Sequence, residues 1–103
     1  MAGSPTPPPV RRAMSRIGSD LASWRKLREL TAAEVAERAG LSVNTVARLE
    51  AGDGATLENT LRVARALGIL DPVTGAFDPY TTDIGRMRAD EQLPARVRRP
   101  RTL

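Results

Sequence analysis

The chain has neither cysteine nor histidine among its 103 residues. That excludes disulfides, thiolate nucleophiles, Cys/His zinc sites and imidazole acid–base chemistry. No metal and no cofactor is expected. Aromatic residues are limited to Trp24, Phe77 and Tyr80. Aliphatic side chains and alanine must therefore fill the core, which suits short helices better than a sheet. Lysine occurs once, at Lys26. An enzyme would have to work with that lysine or with paired carboxylates, and none is expected. No apolar run approaches the ~20 residues that span a bilayer. The opening MAGSPTPPPVRR lacks the apolar stretch of a secretion signal. A cytoplasmic protein with no membrane contact is the resulting expectation.

Basic charge is present in excess and is unevenly spread. The formal net charge is +4. Residues 1–30 carry six basic and two acidic groups, residues 31–70 four and five, and residues 71–103 six and five. Four of the last six are Arg96, Arg98, Arg99 and Arg101. Basic ends thus flank a nearly neutral centre. Such ends attract phosphate, although a solvated tail kept soluble by charge has the same composition. The length bounds the chain to one domain, and only ~60–70 residues are expected to pack. A second copy would help so small a core.

Residues 1–13 include Pro5, Pro7, Pro8 and Pro9 and are expected to form a disordered arm outside any helix. A folded domain is expected over residues 14–70, a connecting segment with a short helix over 71–93, and a basic tail over 94–103. Ile17, Leu21, Trp24 and Leu27 recur at helical spacing, predicting a first helix from Ser15 or Asp20 to Glu29 with these residues turned inward. Thr31-Ala-Ala-Glu34 has the form of a capping box and predicts a second helix over Ala32–Ala39. Gly40 stands where a helix end favours a left-handed residue. Ser42 then caps a third helix over Val43–Ala51, and Thr56 a fourth over Leu57–Leu67 with Leu57, Leu61, Ala64 and Leu67 on its inner stripe. Asp71-Pro72 and Asp78-Pro79 mark turns. Thr82 caps a short fifth helix over Asp83–Gln92.

Helices two and three are both short, and only Gly40-Leu41-Ser42 separates them. A three-residue connection through a left-handed glycine makes the two helices cross steeply. Ala36 lets them approach, and Val35, Leu41, Val46 and Leu49 fill the space between. The third helix then projects Val43, Asn44, Ala47 and Arg48, a face whose width suits the major groove of B-DNA.

The run LTAAEVAERAGLSVNTVARLEAG, Leu30–Gly52, resembles the helix-turn-helix of the XRE (Cro/phage-repressor-like) family. Its Leu-Thr, Ala36, Gly40, Ser42, Thr45, Leu49-Glu50 and Gly52 anchors fall in register. The resemblance implies an all-α, four- to five-helix, lambda-repressor-like domain that binds a double-stranded DNA operator. Residue by residue, it implies base contacts from Val43, Asn44 and Arg48. It implies phosphate contacts from Thr31, Ser42 and Thr45, and a structural salt bridge between Arg25 and Glu50. Where the family often has glutamine on a phosphate this chain has Ala32, and the often basic loop after the third helix is Asp53-Gly54-Ala55. Arg11, Arg12, Arg16, Lys26, Arg28 and the C-terminal Arg96, Arg98, Arg99 and Arg101 are candidates to replace those contacts.

One short recognition helix reads few base pairs, so a homodimer is expected. Phe77, Tyr80, Ile84 and Met87 are left over for a dimer or partner contact, or for packing on the fourth helix. The whole chain, with its tail LPARVRRPR, resembles HipB-type antitoxins. That resemblance implies a HipA-like toxin kinase as partner and repression of its own operon. A phage- or plasmid-type repressor without a toxin is the alternative within the family. A protein-interaction adaptor that uses the helix-turn-helix as scaffold is the alternative outside it.

Overall fold

A computed structural model describes residues 4–92, with the backbone alone at Asp90 and Gln92. The elements are α1 (Pro8–Leu27), α2 (Ala32–Ala39), α3 (Val43–Glu50), α4 (Leu57–Leu67), α5 (Leu70–Gly75), a single 3-10 turn (Pro79–Thr81) and α6 (Asp83–Gln92). There is no strand among the described residues. The chain divides into two compact units, Met1–Leu70 and Asp71–Leu103.

The first unit is a four-helix domain. Its core is Leu21 from α1, Val35, Ala36 and Ala39 from α2, Val46 and Leu49 from α3, and Val63, Ala64 and Leu67 from α4, closed by Ile69. The α2, α3 and α4 boundaries follow from their caps. Thr31, Ser42 and Thr56 each accept a hydrogen bond from the backbone N–H three residues on, satisfying a donor the helix leaves open. Helix α3 ends at Glu50, one residue before the expected Ala51.

Several expectations are corrected. Helix α1 begins at Pro8 rather than Ser15 or Asp20, so residues 8–13 are helical and not a disordered arm. Proline is compatible with the first turn because the N–H it lacks would have no partner there. The face Ile17–Trp24–Leu27 does not turn inward: only Gly18 and Leu21 of α1 are buried. Leu57 is exposed, and Val63 takes the inner place on α4. Asp71-Pro72 lies inside the first turn of α5 rather than in an open turn.

The second unit is small and locally bonded. Asp78 Oδ1 accepts from the Tyr80 N–H at 2.9 Å, and Thr82 Oγ1 accepts from the Gly85 N–H at 2.9 Å. Arg86 Nη1 donates to the Tyr80 carbonyl at 2.7 Å and pairs with Asp83. Ala89 is buried, whereas Phe77, Tyr80, Ile84 and Met87 are exposed.

Candidate nucleic-acid interface

The α2–α3 pair is held at the start of α2 and at the turn that follows it. Thr31 Oγ1 accepts from the Glu34 N–H at 3.1 Å, and Glu34 Oε1 accepts from the Thr31 N–H at 2.8 Å. This reciprocal box holds the Glu34 carboxyl below its ordinary pKa, chiefly through the backbone hydrogen bond from Thr31. Gly40 has φ 72° and ψ 36°, a left-handed conformation that a side chain would strain. The Leu41 N–H returns to the Ala36 carbonyl at 2.9 Å, and Arg62 Nη1 reaches across from α4 to the Ala39 carbonyl at 3.2 Å. The free carbonyls at the end of α2 are therefore satisfied from two sides.

Helix α3 starts one residue after Ser42. Ser42 Oγ accepts from the Thr45 N–H at 3.1 Å and shares a bond with Thr45 Oγ1 at 2.9 Å. Two hydroxyls sharing one bond leave one O–H proton free to donate outward. Val46 and Leu49 point into the core, while Val43, Asn44, Ala47 and Arg48 are exposed. Neither Asn44 nor Arg48 has a side-chain hydrogen bond or ion pair among the described residues. Arg48 borders a concavity of about 420 Å³ with Thr45, Asp53, Gly54, Ala55, Thr56 and Asn59. Asp53 thus places a carboxylate beside the exposed end of α3, and Ala32 contributes no polar group at the start of α2.

The far end of α3 is anchored to α1. Arg25 Nε and Nη2 grip the two Glu50 carboxylate oxygens at 2.8 and 3.1 Å, and Arg25 Nη1 donates to the Leu30 carbonyl at 3.2 Å. The two side chains are 17 and 14% exposed. The bond to Glu50 raises the Arg25 pKa further. A methyl group at Gly18 would stand 2.5 Å from the Leu49 and Glu50 carbonyl oxygens, and one at Gly52 2.8 Å from Ser15 Cα. Helix α1 therefore lies directly against the backbone at the end of α3.

Arg11 and Arg12 lie exposed on the first turns of α1. Neighbouring Arg16 pairs with Asp20 at 3.3 Å. Arg96, Arg98, Arg99 and Arg101 fall outside the described residues. Sequence reasoning missed Gly18 and Arg62, and it read Arg28 as a candidate phosphate contact, whereas its side chain is engaged within the domain. Arg28 Nε donates to the Leu67 carbonyl at 3.0 Å and stands 5.4 Å from the Trp24 ring centre. An isolated glycine inside a helical run was the available signal for Gly18. Arg28 and Arg62 have partners 39 and 23 residues away, which no local pattern reveals.

Two eight-residue helices joined through a left-handed glycine, the first packed on α4 and the second on α1 with its other face exposed, make a DNA-binding helix-turn-helix domain. A family model described as Helix-turn-helix matches residues 21–73, just over half of the chain. The chain belongs to the XRE-type helix-turn-helix family of DNA-binding transcriptional regulators. Neither a curated protein nor a solved structure matches it. No helix among the described residues is long and apolar enough to cross a membrane. No group of acidic side chains among them is arranged to hold a metal ion.

Proposed function

We propose that the chain is a sequence-specific repressor of its own operon and the antitoxin partner of a HipA-like toxin kinase. It binds its operator as a homodimer. The observation that carries the DNA reading is the outward face of α3, where Asn44 and Arg48 keep their polar atoms unspent among the described residues. Asn44 pairs with adenine, Arg48 with guanine, and Val43 packs on a thymine methyl. Thr31, Ser42 and Thr45 donate to phosphates and set the register. Arg11, Arg12, Arg96, Arg98, Arg99 and Arg101 supply attraction that offsets Ala32 and Asp53. The exposed Phe77, Tyr80, Ile84 and Met87 of the second unit support a protein partner for that part of the chain.

Footprinting on the DNA upstream of the protein's own reading frame, across a salt series, tests the DNA reading. A discrete footprint is expected, with log affinity falling linearly in log salt. Absence of a footprint, or salt-independent binding, overturns it in favour of an adaptor. Co-purification from the native host tests the antitoxin reading. A kinase-like protein retained with the chain is expected, and an operator-bound chain without one indicates a repressor that acts alone.

A further inference from the structure

Helix α1 contributes only Gly18 and Leu21 to the core of its own domain. Val10, Ile17, Trp24 and Leu27 occupy another flank. Val10, Ile17 and Trp24 follow one another at seven-residue steps, and Ala13, Asp20 and Leu27 follow each of them by three. That is the a and d spacing of a helix that pairs with another helix. Val10, Ile17, Trp24 and Leu27 are 47, 49, 39 and 74% exposed. The stripe runs the length of a 20-residue helix, about 30 Å. It adjoins an apolar groove of about 220 Å³ lined by Met14, Ile17, Leu49, Gly52, Gly54, Ala55 and Thr60.

We propose that this flank of α1 is the homodimer interface, with α1 packed antiparallel on α1 of a second copy. The sequence of the stripe specifies that occupant. An antiparallel pair related by a twofold axis sets a positions against d positions. In the register centred between Ile17 and Asp20, Trp24 covers the partner's Ala13 and Val10 meets the partner's Leu27. Asp20 stands beside the partner's Ile17 and the partner's Arg16. A large ring over a methyl and a carboxylate beside a guanidinium each occur twice. Arg16 and Asp20 already pair along one exposed helix flank at 3.3 Å, so exchanging partners requires only side-chain rotation. One polar residue in an apolar seam also fixes register.

The arrangement suits the proposed DNA reading, and its function rests on that reading. Gly18 and Ser15, which hold the end of α3, lie a quarter-turn or more around α1 from the stripe. The recognition helices therefore sit on the outer flanks of the pair. Three interaxial steps of about 8–10 Å place their near ends roughly 25–30 Å apart. That separation is comparable with the ~34 Å spacing of adjacent half-sites. A seam one helix face wide falls below the ~800 Å² per partner of a standard interface. The free dimer is accordingly weak and tightens on DNA.

Trp24 is the only tryptophan, so its emission reports directly on the seam. Sedimentation equilibrium and Trp24 emission of the full chain without DNA, from low to several hundred micromolar, test the proposal. A monomer–dimer transition with a blue shift over the same range is expected. Ile17→Asp, at a half-exposed site and with folding checked by circular dichroism, should weaken dimerisation about thirtyfold or more. Val10→Asp, near the end of α1, provides a second variant should Ile17→Asp unfold. Asp20→Leu should strengthen association, and Phe77→Ser should leave it unchanged. A chain monomeric throughout overturns the proposal, as does a dimer broken by Phe77→Ser and not by the α1 variants. A dimer that footprints no DNA overturns the DNA reading alone, and a monomer that footprints a half-site overturns the interface alone.

Discussion

Arg48 and Arg25 have the same side chain and opposite surroundings. Arg48 is exposed and unpaired among the described residues, whereas Arg25 is largely enclosed, with its fork on both oxygens of Glu50. The first can therefore be removed without disturbing the fold, and the second cannot. Arg48→Ala should leave the melting curve unchanged. It should cost ~1–3 kcal/mol at one base position and relax specificity there, measured by competition among operator variants. An unchanged preference at every position would remove Arg48 from base reading. Arg25→Ala should lower stability in urea titration by about 1.5–3 kcal/mol, because it strands Glu50 and frees the Leu30 carbonyl. Arg25→Lys should recover only part of that loss, since an ammonium group cannot make the two-pronged contact.

At the scale of elements, α2, α3 and α4 were legible in the sequence because their caps are written locally. Thr31 with Glu34, Ser42, Thr56 and Gly40 each stop or start a helix within three residues of themselves. The start of α1 was misread because proline was weighed as a helix breaker, although in a first turn it costs no hydrogen bond. The burial of α1 was misread for another reason. Periodicity reveals that an apolar face exists, and only tertiary packing decides which face meets the core. Gly18 makes that choice by letting α1 settle on the α3 backbone. Gly18→Ala should therefore force the two helices apart, at about 1–3 kcal/mol in chemical denaturation. A further test concerns the box that opens α2. Its carboxyl pKa is depressed in the folded state, so its stabilisation is complete above the unfolded value of about 4.3. The stabilisation is lost as pH falls through the lower folded value. The gap in melting temperature between the native chain and Glu34→Ala should be constant at neutral pH and close on acidification below about pH 4.

For the molecule as a whole, the distribution of charge matters more than its total. Residues 71–92 carry five acidic groups and two basic ones, and they separate a basic helical domain from the four arginines of residues 96–101. The acidic stretch carries the charge that DNA repels. The arginines beyond it are proposed to contribute to DNA affinity as phosphate contacts. The proposed backbone grip is also thin at Ala32 and Asp53, so those contacts should matter. Removing residues 94–103 should then weaken binding to operator and to unrelated DNA by the same factor. The slope of log affinity against log salt should become shallower by up to about 3.6, at ~0.9 for each phosphate neutralised. The ratio of specific to non-specific affinity should remain that of the full chain, because Asn44 and Arg48 are untouched. A changed ratio with an unchanged slope would instead place the arginine tail on base edges or on a protein. The proposal that the tail offsets the missing phosphate contacts would then fail, while the assignment of base reading to α3 would stand or fall separately on Arg48→Ala.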